Sequence, residues 1–175
     1  MEDFRTEHQV LEREAFHLSL PRWEFFFKRR QEQAKTLEYF WPIALGNSEI
    51  TSNDACKEDF EVFKHLQDIW VDWDPSNSKN YTISLSFSEN KYFKNDTISK
   101  KFFHNSQTNR SESLKVPLSW KPGCDLTEKY PLNYKSGSIY SFFNWFNYED
   151  EDNPMQYLSA MMLDLYMNAH FYYDA

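Results

Sequence analysis

Between Phe4 and Trp41 the chain has no glycine and a single proline, and its apolar residues recur with helical spacing. Phe4, Leu11, Leu18 and Phe25 form one seven-residue series. Phe16, Leu20, Trp23, Phe27, Ala34, Leu37 and Trp41 form a second, mostly at three- and four-residue steps. A helix over this whole stretch extends on the order of 57 Å at 1.5 Å per residue, whereas a compact body made from the rest has a radius of gyration of about 14 Å. The helix must therefore project, and projecting apolar residues need a second chain to cover them. A helix lying only on its own domain requires one apolar stripe; two stripes point to a dimer seam. Pro21 removes a backbone hydrogen bond and clashes with the preceding turn, at about 3 kcal/mol, so a kink or a junction of two helices is expected there. Pro42 and Gly46 end the segment. The chain thus divides into a dimerisation helix over 1–45, kinked near Pro21, and one domain over 46–175.

The rest reads as an antiparallel sheet with helices. Asn53 is available to cap a helix from Asp54 to about Asp68, with Phe60, Phe63 and Leu66 inward. The period then changes to two: Ile69, Val71 and Trp73 alternate with polar or partly polar neighbours, as do Tyr81, Ile83, Leu85 and Phe87. Asp74 to Ser78 is the turn between these strands. Two further strands are expected at Thr97–His104 and Ser113–Trp120, the second at an edge because it holds Pro117. The aromatic block Ser141–Phe146 reads as core. A final helix runs from about Pro154 to Phe171, burying Met155, Leu158, Met162, Leu165 and Tyr166. The fold class is α+β, with helices covering one side of the sheet.

Charge restricts the partners. The net charge is -8, and no lysine or arginine follows Lys135, whereas Glu149, Asp150, Glu151, Asp152, Asp164 and Asp174 all do. Such a field repels nucleic acid and attracts cations, more weakly as salt rises; direct binding of bare DNA or RNA is not expected. No apolar run approaches the roughly 20 residues of a membrane-spanning helix, and the charged opening Met1–Arg5 does not resemble a signal peptide, so an intracellular protein without membrane association is expected. Cys56 and Cys124 are read as free thiols.

Nothing in the chain spells a catalytic or cofactor site. His8, His17, His65, His104 and His170 show no metal-ligand spacing, and three glycines cannot build a phosphate-cradling loop. No cofactor, metal or enzymatic activity is expected. A Cys56 or Cys124 nucleophile has no local signature. Lys28-Arg29-Arg30 is read as a solvated helix face rather than a localisation signal.

Several segments, in order, resemble the nucleosome assembly protein/SET family of histone chaperones. In the first helix these are Leu20-Pro21, Phe26-Phe27-Lys28-Arg29-Arg30 and Phe40-Trp41; then come Phe87 to Asn95 with Ile98-Ser99-Lys100-Lys101-Phe102, Leu118 to Thr127, Ser141 to Phe146, and Asn153 to Tyr157. One such match is weak evidence; the ordered set, from Leu20 to Tyr157, is strong. The resemblance implies a homodimer of earmuff domains on crossed N-terminal helices, with Phe4, Leu11, Phe16, Leu18, Leu20, Trp23 and Phe27 at the interface. It implies core histones as partners, the H3–H4 pair or the other core histone dimer, and a nuclear protein that can shuttle through the cytoplasm. Candidate histone contacts are Asp125, Glu128, Glu149, Asp150, Glu151, Asp152 and Asp164, with Glu89 and Asp96 beside them; the plainer reading of each is a solvated surface acid. A non-catalytic interaction or inhibitor scaffold for another chromatin or signalling protein is the alternative.

Overall fold

The chain begins with one long helix, α1 (Glu2–Ala34), of 33 residues, or about 50 Å. The computed structural model describes residues 2–108, 110–133, 138–149 and 155–175, with side chains at Leu11 and from Glu14 onward within those ranges. Helical structure is continuous through Pro21; in the preceding turn Ser19 Oγ donates to the Phe16 carbonyl at 3.0 Å. The expected continuation to Trp41 does not occur. After Ala34 the hydrogen bonds tighten, with Thr36 N–H bonding Gln33 O and Leu37 N–H bonding Ala34 O. Tyr39 then adopts the left-handed conformation at φ 56°, and the chain turns into α2 (Phe40–Gly46), which buries Phe40, Trp41, Ala44 and Leu45. The reversal lets Trp41 enter the domain, where its Nε1 donates to Asp68 Oδ1 at 3.0 Å.

The single helix expected from Asp54 to Asp68 is two short ones, α3 (Glu49–Asp54) and α4 (Lys57–Phe63), separated by extended backbone at Ala55 and Cys56. Asn53 lies inside α3, and the N-cap position of α4 is Cys56. Phe63 is buried as expected, Phe60 is exposed, and Leu66 is buried as the first residue of a strand. The strands are β1 (Leu66–Trp73), β2 (Tyr81–Phe87), β3 (Thr97–Asn105) and β4 (Arg110–Ser113), an antiparallel meander in that order. Ile69 pairs with Leu85 and Leu85 with Ile98; Val71 pairs with Ile83 and Ile83 with Lys100. These rows face inward, so the two-residue period places apolar residues together across three strands. The alternate rows carry hydroxyls, Ser84 facing Ser99 and Ser86 facing Thr97.

The strand expected at Ser113–Trp120 is mostly absent. Leu114 N–H still bonds Lys101 O of β3; after it the backbone leaves the sheet, with Val116 N–H bonding Phe146 O and Ser119 N–H bonding Asn95 Oδ1. Alternation of apolar residues mimicked a strand there, but Pro117 lacks a donor and the bonded partners are not a strand. Asn90 Oδ1 accepts the N–H groups of Tyr92 and Phe93, turning the segment after β2 so that both rings are buried. Gly123, at φ 73°, closes the turn in which Cys124 N–H bonds Lys121 O, a conformation that other residues resist. After α5 (Leu126–Lys129) a 3₁₀ helix (Phe142–Asn147) and α6 (Tyr157–Tyr173) complete the chain.

The core is largely aromatic. Phe142, Phe143, Trp145 and Phe146 are fully buried, as are Met155, Leu158, Met162, Leu165 and Tyr166. Phe143 packs against Phe63, Phe87, Phe93 and Trp120, tying α4, the sheet and the loops into one body. Asp59 fixes the start of the 3₁₀ helix: Oδ1 accepts Ser141 Oγ at 2.7 Å, and Oδ2 accepts the N–H groups of Phe142 and Cys56, each at 2.8 Å. Burial pushes the Asp59 carboxyl above the usual range, against these bonds. Cys56 caps α4, and its thiol is pushed up to about 12, first by burial, so it is not a thiolate at neutral pH.

Lys100 stands at an inward position between Ile98 and Phe102, with no exposed surface. Its Nζ donates to Leu114 O at 3.0 Å and Tyr148 O at 2.7 Å. Burial lowers its pKa to about 8, with Glu149 pulling the other way. Because the folded value lies below that of an exposed lysine, the unfolded chain holds the proton more tightly, and stability must rise with pH from about 8 to about 10.4. Chemical denaturation should show wild type gaining roughly 2–3 kcal/mol relative to Lys100→Met across that window. Asp59→Ala, which leaves three buried donors without an acceptor, should lose about 3 kcal/mol in thermal or denaturant melts.

Candidate functional site

The helix joins the domain through a buried charged group. Arg30 was expected on a solvated face; instead it is 8% exposed. Its guanidinium carbon lies 4.7 Å from the Phe27 ring centre, 5.3 Å from that of Trp41 and 4.5 Å from that of Tyr166, and Nη1 donates to the Tyr166 carbonyl. A guanidinium tolerates such a place because its faces are weakly hydrated and stack on aromatic rings. Beside it, Asp68 accepts Gln31 Nε2 as well as Trp41 Nε1. Burial draws Arg30 below and Asp68 above their usual ranges, and each opposes the shift of the other. The last turns of α1 are thereby fastened to α2, β1 and α6.

Further toward its N-terminus, the helix shows two opposed stripes. Leu20, Phe27 and Ala34 are 7%, 1% and 7% exposed and face the domain. Leu11, Leu18 and Phe25, also seven apart, are 59%, 78% and 64% exposed on the other side. Among the residues expected at a dimer interface, Leu11 and Leu18 lie on the outward stripe, Trp23 is exposed beside it, and Phe16 is half-buried. Leu20 and Phe27 are buried within the chain itself, Phe27 stacked on Trp73 and tilted against Tyr166, so their burial needs no second chain. The side chain of Phe4 lies outside the described residues.

The expected acidic contacts do not converge on one point. Glu89 and Asp96 are exposed on the connection between β2 and β3, Glu128 on α5, Glu149 after the 3₁₀ helix, and Asp164 on α6. Asp150, Glu151 and Asp152 lie outside the described residues. Asp125 is engaged locally as the N-cap of α5, its Oδ1 accepting Thr127 N–H and Oγ1 and Glu128 N–H. Asp164 accepts Asn168 Nδ2 at 2.8 Å and the Tyr172 hydroxyl. Glu58, which the sequence did not single out, takes Lys129 Nζ at 2.8 Å and the Tyr130 hydroxyl at 2.5 Å, and these donors hold its carboxyl down to about 2. Arg30 was misread as solvated, and the burial of Lys100 was missed although it carried a legible signal: a lysine in register with inward apolar residues.

Among the described residues, no group of three histidine, cysteine or carboxylate side chains could hold a metal ion, and no helix is long and apolar enough to cross a membrane. Cys56 and Cys124 are unpaired. The features that stand out are broad: an apolar stripe on a projecting helix and carboxylates spread over several elements.

Known proteins share this fold. The crystal structure of a Ccp1 mutant superposes with a TM-score of 0.80 at 22% identity, covering 99% of this chain and 91% of that one. The Vps75 histone chaperone gives 0.77 at 19%, covering 99% and 93%. Protein SET of Drosophila melanogaster is 29% identical over 160 residues, which are 84% of this chain and 59% of SET. NAP1-related protein 1 of Oryza sativa subsp. indica is 29% identical over 130 residues, 70% of this chain and 49% of the relative. The chain thus spans about half to three-fifths of the length of these curated relatives. The nucleosome assembly protein (NAP) sequence profile matches residues 21–171, more than half of the chain, and the chain belongs to the nucleosome assembly protein family.

Proposed function

We propose that this chain is a non-enzymatic histone chaperone, binding basic core histones through its surface carboxylates as a homodimer and acting in nucleosome assembly or disassembly in the nucleus. The observation that carries the reading is the family match over residues 21–171 on a chain whose C-terminal part has acids and no cations. Exposed carboxylates on separate elements offer many weak contacts, each worth up to about 1 kcal/mol and screened by salt. Such contacts suit a protein that must release its cargo. The outward stripe of α1 supports the homodimer: an antiparallel pairing centred on Leu18 sets Leu11 against Phe25 and exposed Glu14 against exposed Arg22, so apolar and charged positions both match.

Two measurements test this. Purified protein should bind at least one core histone pair at low salt, and the affinity should fall at least about tenfold between roughly 0.05 and 0.3 M salt; no association with either the H3–H4 pair or the other core histone dimer refutes the reading. Leu18→Glu, which places two like charges at the centre of the seam, should raise the dimer dissociation constant at least about 100-fold, seen as a monomer in sedimentation or light scattering. An unchanged mass refutes the seam.

A further inference from the structure

Between α3 and α6 the surface opens into a groove of about 320 Å³. Its lining includes Ile50, Ala160 and Met161, with Glu49 and Asp164 on its rim and Tyr172 alongside. Ile50 is fully buried and Met161 half-buried, whereas both carboxylates are exposed. Asp164 is held by Asn168 and Tyr172, and at Asn168 the helix departs from helical geometry (φ -113°, ψ 20°). Both carboxylates act on Tyr172 and push its phenol up to about 12. Among the described residues neither Glu49 nor Asp164 forms an ion pair, and α6 brings no lysine or arginine.

We infer that this groove receives a lysine or arginine side chain of a basic partner, the methylene stem along Ala160 and Met161 and the cation between Glu49 and Asp164. The assignment follows from charge complementarity on an apolar floor. Long cationic side chains cover apolar surface with their stems while the head stays polar, and the Tyr172 ring adds an aromatic face. A second copy of this chain is a poor occupant, because it brings a net charge of -8 to an acidic groove. The inference rests on the histone-binding reading and gives it a specific seat.

The test uses the full chain and a synthetic alternating Ala–Lys peptide as probe, followed by fluorescence anisotropy at low salt. Glu49→Gln combined with Asp164→Asn should weaken binding about tenfold, or about 1.4 kcal/mol. The charge-matched pair Glu38→Gln and Asp72→Asn, exposed elsewhere on the surface and outside the candidate contacts, should weaken it less than about threefold. Ala160→Phe fills the groove without changing charge at an exposed helix position, and should also weaken binding about tenfold. Equal losses in the two charge-neutralised proteins, or full binding by Ala160→Phe with an unchanged melting temperature, overturn the inference. Titration of the core histone pairs separates it from the broader reading. Histone binding untouched by the groove variants sinks the groove alone, whereas a wild-type protein that ignores histones but binds the peptide through the groove sinks the chaperone reading alone.

Discussion

The joint at Arg30 is the constraint on which the rest of the molecule depends. A long helix with apolar residues on opposite sides has no inherent preference for which side meets its own domain. Arg30 decides it, because the guanidinium is enclosed by Phe27, Trp41 and Tyr166 and cannot be withdrawn without depriving the Tyr166 carbonyl of this donor and Asp68 of its neighbouring cation. With that group seated, Leu20, Phe27 and Ala34 are committed inward, and Leu11, Leu18 and Phe25 are committed outward. Asp68 extends the same joint to Gln31 and Trp41, which is why the chain reverses at Tyr39 instead of running on as helix.

Much of this was legible where a local period coincided with burial. Ser141–Phe146 and the inward face of α6 were recognisable because large apolar side chains crowd there, and β2 because its alternation is unbroken. The end of α1 was not, since the reason for it lies at Asp68, far along the chain. The same holds for Arg30, whose neighbours in sequence are solvated and whose neighbours in space come from α2 and α6. The expected strand after Ser113 failed differently: alternation of Val116, Leu118 and Trp120 was real, but it reflects a loop packed on the core, Trp120 against Phe93 and Val116 N–H bonded to Phe146 O, rather than a ladder. Of the candidate contact acids, exposure could be anticipated from charge; the engagement of Asp125 as a cap could not be separated from a contact role without the backbone of α5.

Carboxylates occur here in two populations. Asp59 and Asp68 are buried, oriented by several donors, and hold elements together. Glu89, Glu128 and Glu149 are exposed on elements that the first population positions. Lys100 links the two: its bonds to the carbonyls of Leu114 and Tyr148 fix the exit of the 3₁₀ helix, immediately before Glu149. The interior of this chain is thus held by its buried carboxylates and Lys100, and does not depend on the exposed acids.

The two stripes of α1 share a seven-residue repeat but are displaced from each other, and they overlap between Leu20 and Phe25. Each residue turns a helix by about 100°, and seven residues return almost to the starting direction. A single insertion or deletion in that overlap swings the outward residues before it by about 100° relative to the inward residues after it. The length of this helix is therefore quantised: descendants of this sequence can gain or lose whole heptads, while a change of one residue forces the domain and the seam to abandon their relative orientation.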